Sequence, residues 1–288
     1  MHLQLRSSPV QNTVPVIALH CSGSTAGQWR ELGAALDARL RLVAPEHYGC
    51  ESTGPWSGEH AFALADEAER TIQIIDQSLF NVHLVGHSYG GAVAMRVAVE
   101  RPNRIASLSL YEPVAFHILR TMGARGAAAT AEIRQIAALL DQGVVTGDYR
   151  GAVIAFVDYW SGKGAWAELR PPIQAALKRW APKGPLDFRA LIDEPTPVSA
   201  YASLDIPTLI LRGEHALGPS RLIVETLSTL MPAARMTVIP GAGHMGPITH
   251  SGAVNLEILR HIAASERTFQ QREPATSHPA FAASRAVA

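Results

Sequence analysis

The chain has little cysteine: its 288 residues include only Cys21 and Cys50. Two thiols cannot build a disulfide framework, and neither lies in a CxxC or Cys/His ligand spacing, so both read as reduced thiols and no metal site is expected. Net charge is lacking as well, with 25 Lys and Arg against 25 Asp and Glu. No global field would draw the chain to nucleic acid or an anionic membrane, which leaves a small neutral molecule as the simplest partner. Long apolar runs are missing, since nowhere do the ~18 consecutive apolar residues needed to span a bilayer occur. The first ten residues are polar, without the apolar centre of a signal peptide. These absences lead to the expectation of a cytoplasmic protein that engages no membrane. They say nothing about oligomeric state.

What is present suffices for a large core: 47% of residues are hydrophobic and 17% charged, a balance that suits one big domain or two small ones. Short β-rich apolar runs at 16–20, 40–44, 82–86, 105–111, 208–212 and 236–239 suit parallel strands covered on both faces. Amphipathic segments at 27–39, 60–79, 90–101, 219–231 and 253–264 lie between them. This alternation predicts an α/β fold, a mostly parallel sheet flanked by helices. Over 114–203 the alternation stops, and helical patterns follow one another between Gly and Pro breaks such as Pro171-Pro172. That stretch is expected to be an inserted all-helical cap, with 1–113 and 204–264 forming the core. The polar, alanine-rich 265–288 lacks periodicity and is expected to be a disordered tail.

Gly86-His87-Ser88-Tyr89-Gly90-Gly91 follows the run at 82–85 and opens a helical segment, the strand-turn-helix setting of a GxSxG nucleophile elbow. Side chains at 86 and 90 would clash in so tight a turn, while the turn holds the Ser88 hydroxyl out at the sheet edge. A serine hydroxyl needs a base near neutral pH, and histidine titrates closest to that range. Of the 12 histidines, His244 stands out, because Gly241-Ala242-Gly243-His244-Met245-Gly246 follows the last strand and opens at the carboxyl edge that also holds the elbow. His47, His60, His87, His117, His215, His250 and His261 have no such placement and read as surface or packing residues. The loop His20-Cys21-Ser22-Gly23-Ser24 after the first strand is suited to present the Ser22 amide to a tetrahedral oxyanion, with the Tyr89 amide as second donor.

Oxyanion loop, elbow, helical insertion, acid region and terminal histidine, in that order, resemble the α/β-hydrolase superfamily over roughly residues 3–264. Val43-Ala44-Pro45-Glu46-His47-Tyr48-Gly49 is similar to a loop in which that family usually has Pro-Asp followed by glycine. Glu46 stands in place of the aspartate, and Cys21 in place of the glycine common after the loop histidine. The resemblance implies an α/β-hydrolase sheet, a serine nucleophile and no metal or organic cofactor. It also implies a triad aspartate shortly after the strand at 208–212, but the chain there reads Gly213-Glu214-His215-Ala216, and alanine cannot accept a hydrogen bond. Glu112, at the end of the strand that follows the nucleophile helix, is the first candidate for the acid. Glu214 is the second, and a Ser88–His244 dyad the remaining option.

The insertion carries Phe116, Phe156, Trp160 and Trp166, together with Ile154, Trp180 and Phe188. Such side chains either roof an apolar substrate pocket or pack the insertion on the sheet. The activity expected is cleavage of a small apolar ester, thioester or lactone through an acyl-enzyme. A carbon–carbon bond hydrolase, or an acyltransferase or perhydrolase on the same triad, is the alternative. A non-catalytic ligand receptor of the same fold is a third reading. Serine at position 88 disfavours a haloalkane dehalogenase, whose nucleophile is an aspartate.

Overall fold

The apolar runs form strands because helices cover both of their faces. The computed structural model describes residues 13–272. Its strands are β1 (Val14–Leu19), β2 (Leu40–Val43), β3 (Val82–His87), β4 (Ile105–Tyr111), β5 (Thr208–Gly213) and β6 (Ala234–Ile239). They make one sheet in the order β2-β1-β3-β4-β5-β6, with every neighbouring pair parallel. Helices α1 (Arg30–Ala34), α2 (Leu64–Asp76) and α3 (Tyr89–Glu100) precede β4 or lead into it. Between β4 and β5 the chain is helical: a 3-10 turn (Phe116–Thr121), then α4 (Gly123–Thr146), α5 (Tyr149–Ser161), α6 (Ala165–Glu168), α7 (Pro171–Trp180), α8 (Gly184–Ile192) and α9 (Val198–Ala202). After β5 come α10 (Gly218–Leu230), α11 (Gly246–Thr249) and α12 (Ser251–Arg272).

Side chains alternate across a strand, so one sheet feeds two cores. Ile17, Leu19, Leu84, Leu108, Leu110 and Ile210 join a cluster with Ile72 of α2, Val93 of α3, Ile223 of α10 and much of the helical insertion. Val16, Ala18, Val85, Leu209 and Leu211 face the other way, into a cluster with Trp29, Leu32 of α1 and Val254, Ile258 and Ile262 of α12. The last three recur every four residues, the spacing that lines one face of a helix.

Several boundaries differ from those expected. The 27–39 segment is a 3-10 turn plus the short α1, and it ends where the Asp37 carboxylate accepts the Arg39 amide at 2.9 Å and turns the chain. The 60–79 segment starts only at Leu64, where the Asp66 side chain accepts the Ala63 amide at 2.8 Å and caps the helix. Strand β6 lies at the sheet edge and leaves Met236 and Val238 open rather than covered. The expected tail is corrected over 265–272, because α12 continues to Arg272 and Ser265 is buried with its hydroxyl on the His261 carbonyl. The rest of that stretch, 273–288, lies outside the described residues. Among the described residues no helix is long and apolar enough to cross a membrane.

Candidate active site

The sheet order reverses at β1, which has β2 on one side and β3 on the other. A crevice opens at the carboxyl ends of strands at such a point. Strand β3 ends at His87, Ser88 turns with φ 54° and ψ −116°, and α3 begins at Tyr89. A Cβ on Gly86 would lie 2.5 Å from the Gly90 carbonyl oxygen, and one on Gly90 would lie 2.4 Å from that of Leu19. Those contacts are with backbone, so only glycine fits at either position. The Ser88 amide donates to the Tyr111 carbonyl at 3.0 Å and the Glu112 amide to that of Leu211 at 2.9 Å. The ladder of the sheet thus runs on past the strand ends and carries Ser88 and Glu112 out at the same level. Glu112 has φ 40°, and these two are the positive-φ residues other than glycine among the described residues. Each such conformation costs about 1–3 kcal/mol and persists where its surroundings over-determine it.

His244, in the loop after β6, closes the constellation. Its Nε2 is 2.9 Å from Ser88 Oγ and its Nδ1 2.8 Å from Glu112 Oε2. Glu112 is fully buried, and its Oε1 accepts the Gly213 amide at 2.9 Å. A carboxylate at Nδ1 holds the ring proton there and leaves Nε2 as acceptor for the Ser88 hydroxyl. Glu214 lies elsewhere: its carboxylate accepts the Gly241 amide at 2.8 Å and is exposed. Ser22 sits in the loop after β1, two residues beyond His20, and Gly90 of α3 packs against the Leu19 and His20 carbonyls that open this loop. Tyr89 is the first residue of α3, so its amide has no acceptor within the helix.

Trp160 of α5 stacks on the His244 ring, with centroids 4.1 Å apart and planes at 27°. Phe156 lies 6.5 Å from Trp160 and 4.7 Å from Trp180 by ring centroids, and Phe116 stacks on Phe188 at 5.9 Å. Trp166 is buried in α6 and is held through its backbone by Asp158 and Gln174. Ser88 and His244 are themselves buried, at 6% and 3% exposure. A cleft of about 400 Å³ opens at the seam of core and insertion, lined by Gly23, Ser24, Glu46, Cys50, Arg179 and Trp180 among others; Ser88 and His244 are not in its lining. Among the described residues, no group of three or more His, Cys, Asp or Glu is placed to hold a metal ion.

A model described as the alpha/beta hydrolase family matches residues 16–255. The chain belongs to that family. RutD of Variovorax paradoxus, a proposed carbamate hydrolase, is 38% identical over 90 residues, 31% of this chain and 34% of that protein. The lipase LipV of Mycobacterium tuberculosis is 27% identical over 158 residues, 55% of this chain and 53% of that one. The chain spans about a third to two-fifths of the length of the curated relatives it matches first. The crystal structure of a hydrolase from Pseudomonas aeruginosa shares the fold, with a TM-score of 0.67 at 22% identity over 86% of this chain and 90% of that one.

Around the triad-like chain, this α/β-hydrolase carries supports that motif reading misses. His87, read from the sequence as a surface or packing residue, is fully buried: its Nε2 meets the His244 carbonyl at 2.9 Å, and its Nδ1 meets Gln28 Nε2 at 3.1 Å. Burial, reinforced by the neighbouring His244, holds its pKa well below the ordinary value, so it is a neutral donor to that carbonyl. Gln28 also accepts the Cys21 amide at 3.1 Å and so links the loop after β1 to the histidine loop. Tyr111 donates its hydroxyl to the Gly243 carbonyl at 2.7 Å. A second group, Glu67, Lys183 and Asp187, is buried behind Ser22 and Tyr89. Burial would raise the Glu67 pKa, but His47, Lys183 and the Tyr48 amide outweigh it and hold the carboxyl far below its usual range. Burial would likewise lower that of Lys183, yet Asp187 and Glu67 keep it raised, so the ammonium stays charged. Glu67, Lys183 and Asp187 lie in no motif, and only the folded contacts single them out.

Proposed function

We propose that this hydrolase cleaves a small apolar ester, thioester or lactone through an acyl-enzyme. Ser88 attacks the carbonyl, His244 takes the hydroxyl proton and returns it to the leaving group, and Glu112 orients the imidazole. Water then resolves the acyl-enzyme by the same proton path in reverse. The amides of Ser22 and Tyr89 hold the tetrahedral oxyanion. In the same reading, residues 114–203 act as a cap, and the cleft beside Trp180 is the way in. Phe116, Phe156, Trp160 and Trp166 make the apolar roof. A small-molecule substrate and a cytoplasmic setting, in which Cys21 and Cys50 stay reduced, complete the proposal.

The observation that carries it is the unbroken hydrogen-bonded chain from Glu112 through His244 to Ser88, with the serine on a strained elbow. The aromatic row from Trp160 toward Trp180 supports an apolar acyl group, and the ester-cleaving name of LipV is in keeping with it. A fluorophosphonate probe tests the chemistry directly: prompt labelling of the native protein, absent in folded Ser88→Ala, is the expected result. A chromogenic panel of esters, thioesters and lactones of graded acyl length then reads the substrate class. An inert Ser88 in folded protein would favour a ligand receptor instead.

A further inference from the structure

Ser22 and Tyr89 each anchor a hydroxyl in one buried ionic cluster. Ser22 Oγ donates to Asp187 Oδ2 at 2.8 Å, and Tyr89 OH donates to Glu67 Oε2 at 3.0 Å. Lys183 joins the two carboxylates, its Nζ standing 3.1 Å from Glu67 Oε2 and 2.5 Å from Asp187 Oδ1. The remaining positions are filled as well. Trp180 Nε1 donates to Asp187 Oδ2 at 3.2 Å and the Tyr48 amide to Glu67 Oε1 at 2.9 Å, with His47 Nδ1 at 3.4 Å from the latter oxygen. A fully satisfied buried network of this kind rigidifies whatever it holds, whereas an incomplete one is costly.

Glu67 belongs to α2 of the core, while Lys183 and Asp187 belong to the insertion, in the turn between α7 and α8 and in α8. The two anchored residues arrive from different strands, Ser22 after β1 and Tyr89 after β3. We infer that the Glu67–Lys183–Asp187 cluster is a positioning element for the oxyanion site, setting the separation of the Ser22 and Tyr89 amides and completing it only when the insertion is seated. The inference rests on the acyl-transfer reading above. Two carboxylates against one ammonium give no field that favours an oxyanion, so the contribution is geometric, through the placement of the two donors.

Ser22→Ala and Tyr89→Phe each remove one anchoring hydroxyl and leave both amides in the chain. Each variant, and the double variant, is checked for folding by circular dichroism and thermal melting, and its Ser88 sites are counted with a fluorophosphonate. Turnover of a chromogenic ester and inhibition by an alkyl boronic acid, which forms a tetrahedral adduct on serine, are then compared. Displaced donors weaken only the tetrahedral species, so kcat falls about 10–100-fold with KM changed by less than about threefold, and boronate affinity falls by a similar factor. The double variant loses less than the product of the single losses, because both hydroxyls serve one cluster. Lower melting temperature with kcat and boronate affinity retained would mean a merely structural cluster and overturn the inference. Should Tyr89→Phe fold poorly, Ser22→Ala decides alone. A native protein that neither labels nor turns over ester would instead sink the acyl-transfer reading itself.

Discussion

Glu112 and His244, 132 positions apart in the chain, are joined by a 2.8 Å hydrogen bond. The other candidate carboxylate, Glu214, is spent on the Gly241 amide. Glu112→Gln is therefore expected to lower kcat by about 10⁴, and Ser88→Ala by about 10⁶, as in triads where the orienting acid or the nucleophile is removed. Glu214→Gln should stay close to the native rate. Steady-state turnover of the best ester, at matched circular dichroism, checks all three. A large loss confined to Glu214→Gln would move the acid.

The parallel sheet is legible in the sequence because strands buried on both faces leave apolar runs, and the elbow because backbone contact at Gly86 and Gly90 admits no side chain. Glu112 is findable for a related reason: alanine at 216 empties the usual acid position, and the end of the strand beside the elbow is the next place a carboxylate can arise. Helix limits are less legible, since a single side chain such as Asp37 or Asp66 ends or caps a helix and leaves the periodic pattern unchanged. The cluster of Glu67, Lys183 and Asp187 has no signature at all. In sequence Glu67 is a charged residue of the amphipathic 60–79 segment and Lys183 and Asp187 are charged residues of the helical insertion, and only the seating of the insertion on α2 turns those charges inward. His87 is hidden in the same way, its ring turned into the core beneath His244.

Gly90→Ala would bring a methyl group to within 2.4 Å of the Leu19 carbonyl and 2.5 Å of that of His20. Both atoms are backbone, fixed by the end of β1, so α3 or the loop after β1 must shift. Overpacking of this kind costs about 1–3 kcal/mol or more, and the shift would fall on the Ser22 and Tyr89 region. The expected result is a lower urea midpoint together with loss of fluorophosphonate labelling. Native stability and labelling would show that the elbow is looser than its contacts indicate.

Trp160 covers His244 and is itself 7% exposed. Trp160→Ala opens a cavity in the insertion and should cost about 3–5 kcal/mol in urea denaturation. It also admits water to the imidazole and removes apolar wall, so KM for longer acyl chains should rise more than for acetate. Trp160→Phe keeps a ring over the histidine and should retain most of the stability. Equal KM changes across acyl lengths would remove Trp160 from the pocket wall and leave it a packing residue.

Histidine burial sets how stability responds to acid. Desolvation lowers the pKa of His83 from 6.5 to about 4, and that of His117 to about 4. Between pH 6.5 and 4 the unfolded chain binds a proton at each of these residues that the folded chain does not, so stability is full above 6.5 and is lost as pH falls through this window. Each group contributes up to about 1.4 kcal/mol per pH unit. Glu67 acts lower down: its folded pKa lies far below the unfolded value, so its contribution is present above about 4.3 and declines only beneath that. Urea midpoints measured from pH 7 to 4.5 therefore isolate the histidines. His83→Gln, which keeps a polar partner for the Ser107 hydroxyl now 2.8 Å from Nδ1, should flatten the curve by one histidine's share. An unchanged slope in that variant would mean that His83 takes up its proton in the folded state at an ordinary pH.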